Sequence, residues 1–164
     1  MISFIVDTSA FISLESVYLL EIVLKNFEII TALRAFGGLN DFAIFDDELG
    51  KAAQRVIEKK KKIAIEEPEI KEELAFVSRT DNEIFNLALA KKMTLITDDI
   101  KLTRHAFSKI QTEFSTYFLP LFIESGLLTK SEALHKLELM RIIRNWQDNV
   151  IYVSAKEELN NSDW

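Results

Sequence analysis

Apolar positions along the chain follow two alternating periods. Short runs rich in β-branched and aromatic residues are separated by longer stretches in which apolar residues recur every three or four positions, the pattern of strands alternating with helices. Ser3–Val6 (SFIV), residues 27–31 (FEIIT), 63–66 (IAIE) and 94–97 (TLIT) read as strands. Helical spacing spans residues 10–25, then 46–62 with a stripe of Ala52, Ala53, Val56 and Ile57, and then 81–92 with Ile84, Leu87 and Ala88. Pro68 suits the first turn of a further helix over 69–77. Such alternation predicts a three-layer α/β/α sandwich around a central, mainly parallel sheet of four or five strands with right-handed crossovers.

The carboxyl-terminal third has a different character. Residues 114–123 (FSTYFLPLFI) are densely apolar, with Pro120 kinking or restarting the element and Gly126 ending it. Thr129 and Glu132 form a capping box for a helix reaching about Arg144. Trp146, Ile151, Tyr152 and Val153 suggest a final edge strand, and 156–164 a polar, mobile tail. The chain therefore divides into a sheet domain over 1–109, a helical extension over 110–155, and the tail. The apolar surplus of the extension, with Phe11, Leu14, Val17 and Tyr18, predicts a homodimer interface.

Three of these elements bring acids to one place. Asp7 follows the first strand, Asp81 opens a helix, and Asp98 and Asp99 follow the TLIT strand. A helix of about eleven residues runs roughly 16 Å, and the strand after it returns about as far. Asp81 and Asp99 then share an edge, and Asp7 joins them if the two strands are parallel. That edge is the carboxyl end of the strands, where open α/β sheets bind ligands. Carboxylates crowd together only when protons or cations relieve their repulsion, and oxygen-only clusters suit Mg²⁺ or Mn²⁺. The plainer reading makes Asp7 and Asp81 helix caps and Asp98 the start of a turn.

VDTSAF near the start, followed by TDNEIFNLALAKKMTLITDD over 80–99, resembles the PIN-domain family of metal-dependent ribonucleases over residues 1–109. The resemblance implies Asp7, Asp81 and Asp99 as catalytic metal ligands, with Thr8, Ser9 and Thr97 orienting carboxylates or water. It implies a Mg²⁺- or Mn²⁺-dependent endoribonuclease for single-stranded RNA, of a toxin or RNA-processing type, with an antitoxin protein as a possible partner. Asp98 fills a variable slot as a further candidate ligand. The family's usual Glu after the second strand is missing: Gly38 stands there, leaving Asp41 and Glu48 as candidates for a fourth acid. The alternative is a PIN-fold module that binds RNA or protein with weakened catalysis.

Composition adjusts this picture at the margins. Without cysteine there is no disulfide, thiolate ligand or thiol nucleophile. The amino terminus enters a strand directly, with no basic leader, and no apolar run is long enough to cross a membrane, so a soluble, cytoplasmic protein is expected. A net charge of −6 disfavours a broad basic RNA platform. Lys101, Arg104, His105 and Lys109 fall on one helical face after Asp99 and are the candidate RNA-backbone contacts. Lys59 to Lys62 instead reads as a solvated helix end. A phosphoryl-transfer domain with Asp7 as nucleophile fits poorly. Haloacid-dehalogenase-like phosphatases want an acid where Ser9 stands, and receivers want a lysine after a late strand.

Overall fold

A computed structural model describes residues 1–69 and 71–164 of the chain. Chain order is β1 (Ser3–Val6), α1 (Thr8–Ser16), α2 (Leu20–Asn26), β2 (Glu28–Ala32), α3 (Leu33–Gly37), α4 (Leu39–Ala43), α5 (Glu48–Glu58) and β3 (Ala64–Glu66). There follow α6 (Arg79–Lys91), β4 (Leu95–Ile96), α7 (Ile100–Ala106), β5 (Thr112–Glu113), α8 (Phe118–Glu124), α9 (Lys130–Ile143) and α10 (Val150–Asn161). The strands form one parallel sheet in the order β3-β2-β1-β4-β5.

Alternation along the strands sorts their side chains into two cores. Phe4, Val6, Ile29 and Ile96 pack with α1, α2, α5 and the carboxyl-terminal helices. Ile5, Ile30 and Leu95 pack with Ala35 of α3, Ile84 and Phe85 of α6, and Leu102 of α7. Near-continuous apolar strands are what burial on both faces requires. The sandwich of three layers is therefore as the periodicity predicts.

The helical extension belongs to the first of these cores. Phe118 and Phe122 are fully buried, and the Phe118 ring meets Phe4 of the central strand edge-on at 5.2 Å between centroids. Phe11, Leu14, Val17, Trp146 and Tyr152 are buried too, whereas Tyr18, Leu127, Ile142, Val150 and Val153 stay exposed. Most of the large side chains that suggested a dimer are thus buried within one chain. Lys59 binds the buried Glu15 of α1 together with Arg55, and Lys62 binds Glu21 of α2. Lys59 and Lys62 thus tie the end of α5 and the turn after it to α1 and α2, while Lys60 and Lys61 stay exposed as a solvated helix end would.

Several elements differ from the sequence reading. The first helix breaks in two because Tyr18 adopts a left-handed conformation (φ 59°) and Leu19 N–H turns back to Leu14 O. Residues 71–77 form no helix. Their backbone is satisfied instead by two asparagines of α6: Asn86 brackets Glu72 N–H and C=O at 2.8 Å each, and Asn82 accepts from Leu74 N–H. The start of that predicted helix includes Ile70, which lies outside the described residues. The edge strand over 146–153 is replaced by α10, capped by Asn149, whose buried Ile151, Tyr152, Ala155 and Leu159 follow helical spacing. Residues 156–161 complete that helix rather than forming a tail. β5 has only two residues and no pattern to announce it.

Candidate active site

β1 and β4 are neighbours, with Val6 opposite Ile96, yet the chain leaves β1 for β2 on its other side. The strand order reverses between β1 and β4, and open α/β sheets form their ligand crevice at the carboxyl end of such a switch point. A cavity of about 150 Å³ lies there, lined by Asp7, Asp81, Asp99, Thr8, Ser9 and Arg144 among others.

Each of the three aspartates arrives through a local signal. Asp7 is the N-cap of α1: its Oδ1 accepts from Ala10 N–H at 2.9 Å. The Ser9 hydroxyl donates to both of its oxygens, at 2.8 and 3.0 Å, and the Thr97 hydroxyl to Oδ2 at 2.5 Å. Those two hydroxyls in turn accept from Asp98 N–H and Asp99 N–H, stitching the end of β1 to the end of β4. Asp99 caps α7 through Leu102 N–H. Asp81 does not open its helix. It is the third residue of α6 and closes a capping box with Ser78, whose hydroxyl lies 2.7 Å from Oδ2. The cap reading and the shared edge are therefore both true of the same residues.

Asp7 is buried, and burial pushes its carboxyl up to about 7 from the usual 3.8. The hydrogen bonds from Thr97, Ala10 and Ser9 pull the other way without reversing it, and Asp98 adds a smaller upward push.

The remaining sequence candidates lie elsewhere. Asp98 turns its carboxylate to Ser115, accepting from N–H at 2.8 Å and the hydroxyl at 2.7 Å, and so ties the helical extension to β4. Asp41 on α4 and Glu48 at the start of α5 do not line the cavity. Gly38 is not among the residues lining the cavity; it faces Thr8, and a Cβ there would stand 3.0 Å from the Thr8 hydroxyl. Lys101, Arg104 and His105 lie on α7 outside the cavity. Lys109 lies past the end of α7 and pairs with Glu72 at 2.9 Å, so the four do not share one helical face.

Arg144 went unmarked in the sequence. It ends α9, where Asn145 takes a left-handed conformation (φ 55°) and Trp146 N–H returns to Arg141 O at 2.8 Å. This turn buries Trp146 and leaves the Arg144 guanidinium 5.7 Å from the indole. Burial pushes its pKa down, opposed by the charges of Asp98 and Asp7. No sequence signal could have placed the end of α9 beside the end of β1.

An all-oxygen donor set of this kind matches a hard divalent ion in chemistry. Oδ1 of Asp81 and Oδ2 of Asp99 accept no hydrogen bond among the described residues, so Asp81 and Asp99 each retain a free oxygen. The arrangement is open, however: among the described residues no three Asp, Glu or His side chains stand as a metal-holding group.

No protein-family model and no curated protein sequence matches the chain. Among solved structures it is similar to a PilT N-terminus domain protein from the hyperthermophilic archaeon Sulfolobus solfataricus P2. That similarity has a TM-score of 0.56 at 14% identity and covers 75% of this chain and 95% of the other. Two fainter likenesses, both at TM-score 0.49, are to VapBC2 from Rickettsia felis bound to a promoter DNA fragment and VapBC-1 from nontypeable Haemophilus influenzae. The first has 17% identity and covers 69% of this chain and 98% of that one; the second has 14% identity and covers 70% and 99%. At such identities a likeness speaks for architecture. With its five parallel strands, flanking helices and crevice between β1 and β4, the chain has the PIN fold, that of the PilT N-terminus domain.

Proposed function

We propose that this chain hydrolyses single-stranded RNA with Mg²⁺ or Mn²⁺ held by Asp7, Asp81 and Asp99. The observation that carries the reading is that three aspartates from separate elements line one cavity at the switch point of the sheet. A bound divalent ion supplies charge stabilisation at the phosphoryl oxygens and lowers the pKa of water for in-line attack. Thr97 and Ser9 fix the Asp7 carboxyl against the end of β4. A groove of about 860 Å³ adjoins the first turn of α6, bordered by Arg34, Lys71 and Arg79 but equally by Glu67, Glu73 and Glu83.

Labelled single-stranded RNA incubated with Mg²⁺ or Mn²⁺ should be cut by the wild type, and not by Asp99→Asn or in EDTA. Cleavage that persists in EDTA, or an intact RNA panel with either ion, refutes the hydrolase. A second reading, an RNA-binding PIN module without hydrolysis, is favoured by the open arrangement of the acids and by the glycine at position 38, where the family resemblance implies an acid. It predicts binding without cutting. An antitoxin partner rests on the family resemblance, and a cytoplasmic location on the sequence features given above; a homodimer would have to use the apolar side chains left exposed, Tyr18, Ile142, Val150 and Val153 among them, since most of the larger ones are buried.

A further inference from the structure

The Arg144 guanidinium makes no hydrogen bond and no ion pair among the described residues, although it lines a cavity that holds three aspartates. Its Nε is buried with no partner. Burying a cationic donor unpaired is costly, and a structural counter-ion for the acids would be expected to touch one of them. The position is nonetheless firmly built. The left-handed Asn145, the return bond from Trp146 to Arg141 and the buried indole hold the end of α9 in place. Asp98, bonded to Ser115, ties the chain just before α8 to the end of β4. A half-buried guanidinium on this cavity, stacked near the Trp146 ring with its donors unspent, matches the oxygens of a phosphate, which a planar fork can grip in bidentate fashion.

We infer that Arg144 is a substrate-binding residue of this cavity, contacting the non-bridging oxygens of the RNA phosphate that sits against the aspartates. The helical extension would then complete the site, since the sheet domain itself lines the cavity with acids and supplies no cation to it. This rests on the proposed reading of the cavity as an RNA site.

The test measures binding of a labelled single-stranded RNA to the full chain by fluorescence anisotropy in EDTA, across a series of KCl concentrations. Arg144→Gln should weaken binding roughly tenfold or more. It should also reduce the salt slope by about 0.7, the loss of one phosphate contact on a single strand. Arg144→Lys, which keeps the charge without the fork, should fall between and serves as the readout if the Gln variant does not fold. Lys61→Gln, an equal charge change at an exposed position beyond α5, should bind as the wild type does. Melting of Arg144→Gln should be unchanged or higher, since an unpaired buried cation is removed. Wild-type affinity and slope in Arg144→Gln overturn the inference while leaving the RNA site standing, and so does a lowered melting temperature with binding intact, which marks Arg144 as a counter-charge. A wild type that binds no RNA in EDTA, nor with Ca²⁺ added as a divalent ion in place of Mg²⁺, overturns both.

Discussion

Asp7→Asn isolates the charge at the centre of the site. In the fold the carboxyl titrates near 7, against 3.8 in an unfolded chain. Between those pH values the native state holds a proton that the unfolded state has released, so stability falls as pH rises. The contribution is fully present below about pH 4 and is gone once pH passes about 7. The separation corresponds to roughly 4 kcal/mol, with a maximal slope of about 1.4 kcal/mol per pH unit. Asparagine has the same shape and no charge. Its oxygen can take Ala10 N–H, while its amide faces the Ser9 and Thr97 hydroxyls, each of which already accepts a backbone N–H. Losing those hydroxyls' donor bonds costs about 1 kcal/mol at every pH. Urea unfolding of both proteins in EDTA, followed by circular dichroism from pH 4 to pH 8, gives the stability difference directly. Other titrating groups largely cancel in it. Asp7→Asn should start slightly less stable and overtake the wild type by several kcal/mol at pH 8. A difference that stays flat across this range, or one that grows in favour of the wild type, refutes the claim that burial dominates at Asp7.

Ser78→Ala removes half of the capping box that positions Asp81, and urea unfolding should show a loss of about 1 kcal/mol. Glu138 is held down to about 2 by the Tyr152 hydroxyl, Arg141 and Lys156. A depressed carboxyl contributes stability above its unfolded value of 4.5 that is lost as pH falls through about 2. With the side chain 39% exposed, solvent screening limits this to about 1 kcal/mol or less, so the stabilities of Glu138→Gln and wild type should draw together below pH 4.5 and converge only as pH approaches about 2.

Local pattern determined much of this protein. The strands β1 to β4, the α6 and α9 helices and the Asp7 cap follow from residues within a few positions of one another. Periodicity, β-branching and capping are short-range physics. The common edge of Asp7, Asp81 and Asp99 was also legible, because a helix and the strand after it have lengths fixed by their rise per residue. What was missed depends on partners distant in sequence. Residues 71–77 are held out of a helix by Asn82 and Asn86, whose side chains give that backbone its hydrogen bonds. The aromatic run over 114–123 looks like an interface in sequence and is a core in the structure, because Phe4 and Phe27 wait beneath it. Whether an acid is a free ligand or a committed cap depends on which donors reach its oxygens, and Asp98 turned to Ser115 shows how one contact decides that. Arg144 is the plainest case. Its residue type is ordinary, and only the packing of α9 across the first core places its charge in a cavity that begins at residue 7.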